Sequence, residues 1–191
     1  VRERRMVRNF ETRAIPRELL DLLLDLARRA PSAGFTQGTE LLVLEGAEQT
    51  NRFWAATFAP QERSEFAWPG LFNAPAIVVP FANKSAYLDR YSEPDKGWAD
   101  RDEARWPVPY WEIDAGFLTM SLLLATTNAG LGAAFFGLFR GVEALRAEFA
   151  IPEGLTPIGA VALGYPAQDR PSGSLRRGRR PLPEIVHRGK W

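Results

Sequence analysis

Apolar positions recur with a helical period near the start of the chain. In PRELLDLLLDLARRA, residues 16–30, Leu19, Leu23, Leu26 and Ala30 fall at i, i+4, i+7 and i+11, with Leu20, Leu24 and Ala27 beside them. Pro16 suits a first turn and Pro31 opposes continuation, so a helix is predicted over 16–30. Two continuous apolar runs, LLVLEG (41–46) and AIVVPFA (76–82), are bounded by turn formers and read as strands covered on both faces. The stretch EQTNRFWAATFAPQER between them reads as helix. From Asp114 to Asn128 the chain is apolar nearly all round. That predicts a buried helix, at the domain centre or against another subunit, with Asp114 as its N-cap and Gly130 as its stop. AAFFGLF (133–139) and IGAVALGYP (158–166) read as strands, with a helix, GVEALRAEFA (141–150), between them and ended by Pro152. This order predicts an α+β fold, one domain over 1–191, with a central mixed sheet flanked by helices on both faces.

Two stretches depart from this regularity. Residues 92–113 combine charge and proline with Trp98, Trp106, Tyr110 and Trp111. Such a composition fits a lid or substrate-pocket excursion, and equally a surface excursion pinned by its tryptophans. After Pro166 the chain is polar and basic, without periodicity until PLPEIV (181–186). A tail over 167–191 needs something outside the domain's own core to hold it.

Composition narrows the chemistry. With 191 residues, 46% of them hydrophobic and 25% charged, the chain can bury a core. A formal charge of +1 gives no general attraction for nucleic acid, although RRGRR (176–180) forms a local basic run. The absence of cysteine excludes disulfides and thiolate chemistry and suits the cytoplasm. The longest apolar stretch, FLTMSLLLA, is far short of the ~20 residues of a membrane span. The N-terminal VRERRMVRNF lacks the apolar stretch of a secretory signal. One histidine, His187, leaves no metal set and no Ser-His-Asp arrangement. Gly130, Gly132 and Gly137 follow a helix and lead into a strand, the reverse of a dinucleotide fingerprint. No side chain stands out as catalytic, which leaves chemistry carried by a bound cofactor. A flavin mononucleotide (FMN) would need cations for its phosphate, and Arg4, Arg5 and Arg8 at one end, with Arg176, Arg177, Arg179 and Arg180 at the other, could supply them.

The succession RRMVRNF (4–10), a leucine helix, APSAGFTQG (30–38), GLGAAFFGLF (130–139), LGYP (163–166) and RRGRRPLPEIV resembles the FMN-dependent nitroreductase family. The resemblance implies a nitroreductase-like fold and an intertwined homodimer with FMN at the subunit interface, its tail (167–191) reaching the partner. It implies a cytoplasmic flavoprotein oxidoreductase that transfers hydride from NAD(P)H, its co-substrate, through flavin N5 to a small electron-poor acceptor such as a nitroaromatic, quinone or enone. A non-catalytic flavin-binding protein of the same fold, or a dedicated flavin, deazaflavin or dehalogenating enzyme, stands as the alternative. By resemblance, Arg4, Arg5, Met6 and Arg8 contact the flavin from the N-terminus. Pro31, Ser32, Ala33 and Gln37 form a loop laid on it by the second subunit. Phe136, Gly137 and Leu138 pass near N5, and Arg177, Arg179 and Arg180 complete the phosphate site. Phe35, Trp106 and Trp111 are the expected substrate contacts. Met6 stands where the family often has serine, Phe35 where it often has asparagine, and Gly137 where some members are acidic.

Overall fold

The computed structural model describes all residues, 1–191. Six helices, α1 (Arg17–Ala27), α2 (Gly46–Thr57), α3 (Pro60–Ser64), α4 (Lys84–Ser92), α5 (Tyr110–Asn128) and α6 (Val142–Phe149), surround a sheet of five strands. The strands are β1 (Thr39–Glu45), β2 (Ala76–Asn83), β3 (Gly132–Phe136), β4 (Leu155–Pro157) and β5 (Ala160–Gly164), laid out β1-β2-β5-β3 with β4 also on β2. Every strand pairing is antiparallel. The sheet is mixed only at its β3 edge, where the N-terminal segment adds a parallel bridge, Met6 to Ala133.

The continuous apolar runs are explained by cover on both faces. Along β2, Ile77, Val79 and Phe81 enter a core with Phe53 and Trp54 of α2 and Leu145 of α6. Ala76 and Val78 point the other way, into a second core with Leu20 and Leu23 of α1 and Leu118 and Leu122 of α5. Strand alternation thus splits one apolar run between two cores. β4 and β5 are one strand interrupted at Gly159, whose φ is +147°. A Cβ there would lie 2.6 Å from the Phe135 ring and 2.7 Å from the Phe136 carbonyl, so only glycine passes.

Helix α1 stops at Ala27 rather than at residue 30, and Leu26 is exposed with Leu22. The apolar positions outnumber those one face can bury. Helix α5 begins four residues before Asp114, after Pro109, so Asp114 is not an N-cap. Gly130 does end it, at φ +74°, with its N–H on Thr127 O. Helix α4, whose N-cap is Asn83, has too short an apolar pattern for the sequence to predict it. None of the helices is long and apolar enough to cross a membrane.

The N-terminal segment is sewn to the sheet edge and to the chain after β5. Val7 N–H donates to Ala133 O at 2.9 Å, Glu11 N–H to Tyr165 O at 3.0 Å, and Ala167 N–H to Asn9 O at 3.0 Å. Both ends of the chain therefore meet beside β3.

Candidate functional site

That meeting of the ends builds a pocket of about 260 Å³, walled by Arg4, Arg5, Arg8 and Arg179, with Met6 and Asp169. The segment 173–177 supplies part of the wall as a short 3-10 turn, with Ser172 as its N-cap. Four arginines against one carboxylate among its lining residues give the pocket a positive balance that suits an anion. Its most telling atom is Arg4 Nη1, buried and without a hydrogen-bond partner. An unsatisfied charged donor is costly, and an anionic oxygen would relieve the cost. Met6, where the family often has serine, turns toward β3, where its sulfur accepts the Phe135 N–H at 3.4 Å.

Arg8 and Asp169 also line a larger neighbouring cavity, about 560 Å³, with Asn9, Trp68, Gly70 and Arg170. The Arg8 guanidinium lies 5.2 Å from the Trp68 ring centroid and that of Arg170 5.6 Å, both within cation-π range. An anion pocket thus opens beside a wall with an indole face.

The 31–37 loop lies elsewhere, along a 190 Å³ pocket lined by Arg28, Pro31, Ser32, Gln37, Thr39 and Asp114 among others. It holds three left-handed residues in a short span: Gly34 (φ 63°), Phe35 (φ 54°) and Gln37 (φ 56°). Left-handed backbone is unfavourable for Phe35 and Gln37, so the loop must be held by bonds within it and from outside. It is. Ala33 N–H donates to Asp114 Oδ2 at 2.8 Å, Gln37 N–H to Ser32 Oγ at 2.9 Å, and Arg90 Nε to Gly34 O at 3.0 Å. The Tyr87 hydroxyl donates to the same Asp114 oxygen at 2.8 Å. Burial and that hydrogen bond push the Tyr87 phenol well above its ordinary range. Asp114 is 4% exposed, whereas Phe35 is 76% exposed at the loop's tip.

The other expected site residues are dispersed. Phe136 is half-buried and packs against the core, stacked on Trp54 with centroids 5.6 Å apart. Gly137 and Leu138 line a separate 320 Å³ pocket with Phe58, Phe66 and Phe139. Arg180 is paired with Glu184, and Arg177 is exposed at the end of its turn. Trp111 is buried against Tyr87 and Ala115, and Trp106 packs against both Tyr87 and Trp111. Neither tryptophan lines the pockets described above; they pin the 92–113 excursion to the body of the protein. Ion pairs Arg90–Asp95, Lys84–Glu103 and Arg105–Asp100 hold the rest of it.

Nothing in the sequence singled out Asp169, Trp68, Tyr87 or Arg90. Asp114 did carry a signal, as a carboxylate at the head of the apolar stretch 114–128, which when buried must find donors.

The architecture is an α+β fold, with the arginine pocket on the sheet edge. The family model described as the nitroreductase family matches residues 1–165. The chain belongs to the nitroreductase family, a family of oxidoreductases. A protein of Methanothermobacter thermautotrophicus, provisionally named NADH dehydrogenase/NAD(P)H nitroreductase, is 27% identical over 195 residues, covering 100% of this chain and 85% of its own. The crystal structure of a nitroreductase family protein from Clostridium difficile superposes with a TM-score of 0.69 at 26% identity, over 99% of this chain and 95% of that one. One from Staphylococcus epidermidis, provisionally named an NAD(P)H:FMN oxidoreductase, reaches a TM-score of 0.71 at 20% identity, over 97% and 92% of the two chains.

Proposed function

We propose that the protein is an FMN-dependent oxidoreductase acting as a homodimer, with NAD(P)H as donor and a small electron-poor acceptor. The observation that carries this reading is the buried, unpartnered Nη1 of Arg4, one of four arginines that line a single pocket. Family membership and the names of the relatives support the same class. When bound, FMN would supply two-electron redox chemistry between a nicotinamide donor and a nitroaromatic, quinone or enone acceptor.

The chain's own residues bind and orient. Arg4, Arg5 and Arg179 hold the phosphate. Arg8, fixed beside Trp68, would offer a cation to the pyrimidine side of the flavin, where Coulombic attraction would favour added negative charge. The 31–37 loop and the arginine pocket share no lining residue, which fits a site completed by the loop of a second copy. The surface for that copy is an apolar strip: Leu22 and Leu26 on α1, Phe117 and Met120 on α5, each between 44% and 52% exposed. Singly exposed apolar residues are ordinary, but four of them on two packed helices support an interface there.

A flavin-binding protein without turnover is the alternative reading. The Phe139 ring lies within 2.9 Å of where a Gly137 Cβ would lie, beside the approach the resemblance assigns to N5, but it is 95% exposed and leaves that approach open. A single experiment separates the two readings. Protein purified without added cofactor should show a flavin absorption spectrum that bleaches with NADH or NADPH in the absence of oxygen. Colour without bleaching would support sequestration, and colourless protein that ignores added FMN would overturn both.

A further inference from the structure

We propose that Asp169 is the second polar anchor of the arginine pocket, accepting a hydroxyl from the sugar-alcohol portion of a phosphorylated ligand whose anion rests on Arg4. The inference builds on the FMN reading and adds a residue no sequence pattern identified.

It follows from two buried atoms of opposite hydrogen-bonding sense. Arg4 Nη1 is a donor and Asp169 Oδ1 an acceptor; both are buried without partners, and their residues line the same pocket. Asp169 is not free to turn away. Its Oδ2 accepts the Arg8 N–H at 2.8 Å, Gln168 O accepts from Asn9 Nδ2 at 2.6 Å, and the Arg170 guanidinium donates to Ala67 O. The segment is fastened on both sides of the carboxylate. A buried polar atom held in this way needs a partner from elsewhere.

The two atoms define the ligand's chemistry. Inorganic phosphate would satisfy Arg4, but it offers Asp169 charge repulsion. A neutral polyol would satisfy Asp169 and leave Arg4 without an anion. A phosphate monoester on a polyhydroxy chain carries both groups within a few bonds of each other. The ribityl phosphate of FMN has this pattern. The carboxylate then gives the pocket a grip on the sugar chain that is independent of the phosphate.

FMN, riboflavin and lumiflavin test this, because riboflavin lacks the phosphate and lumiflavin lacks both phosphate and hydroxyls. Binding is read by flavin fluorescence titration of the full chain. Arg4→Ala should weaken FMN about tenfold or more and leave riboflavin unchanged. Asp169→Ala should weaken FMN and riboflavin alike, each about tenfold, so that their ratio is kept. A rise in FMN affinity on Asp169→Ala would overturn the proposal, since the carboxylate would then only repel phosphate. So would a loss confined to FMN, which would mean that Asp169 acts solely through the arginine segment. Should Asp169→Ala not fold, the wild-type protein decides: riboflavin must bind about tenfold more tightly than lumiflavin, and equal affinities would refute the assignment. Wild-type protein that bound none of the flavins would sink the FMN reading as well. Wild-type binding with an unchanged Asp169→Ala would sink this inference alone.

Discussion

At the scale of single residues, Asp114 joins structure to site most directly. One buried oxygen receives the Ala33 amide and the Tyr87 hydroxyl, tying the strained loop to α5 and α4. Asp114→Ala leaves two buried donors without an acceptor. It should cost about 2–4 kcal/mol in urea unfolding. Amide hydrogen exchange over 32–37 should rise well beyond that of β2 and β5. Tyr87→Phe isolates the phenol's share through pH. The folded state holds the Tyr87 proton above the range where an unfolded tyrosine, with a pKa of about 10, releases it. Folded protein then binds more protons than unfolded, so this contribution is complete below about pH 10 and declines as pH rises past it. The alkaline limb of the stability profile should therefore be flatter in Tyr87→Phe than in wild type. Identical limbs would rule out that hydrogen bond.

Among the elements, hydrophobic pattern located the strands and long helices because β2 and β5 are covered on both faces and read as unbroken apolar runs. It failed where length was short or geometry decided. Helix α4 has nine residues and one buried side chain, Tyr87, so no period stands out. Pattern also could not tell which side of an all-apolar helix a partner would cover. In α5 the buried side is Leu118, Leu122 and Leu123, while Phe117 and Met120 are left outside. The motif arginines were legible, yet Asp169 was not, because only folding brings it to Arg8, 161 positions away in the chain. Met120→Glu places a charge in the middle of the proposed interface. The variant should sediment as a monomer at concentrations where wild type is dimeric, and should lose FMN in the same range. A dimeric variant with normal FMN content would move the interface elsewhere.

For the molecule as a whole, stability and binding belong to different parts of the chain. The two cores lie between residues 7 and 163, whereas every residue from 173 to 191 is exposed. Truncation after Arg170 keeps the fastenings at Asn9, Arg8 and Ala67 and removes Arg179. It should change unfolding free energy by no more than about 0.5 kcal/mol, as for surface changes generally. FMN affinity should fall at least about tenfold. An equal loss of stability would show that the tail is part of the folding unit.

The pocket that joins Arg4 to Arg179 has a consequence for biogenesis. While the polypeptide is still being synthesised, one wall of that pocket does not yet exist, however complete the sheet and helices already are. A phosphorylated ligand that needs both walls can therefore be held only once residue 179 has been made and has folded back against the N-terminal segment.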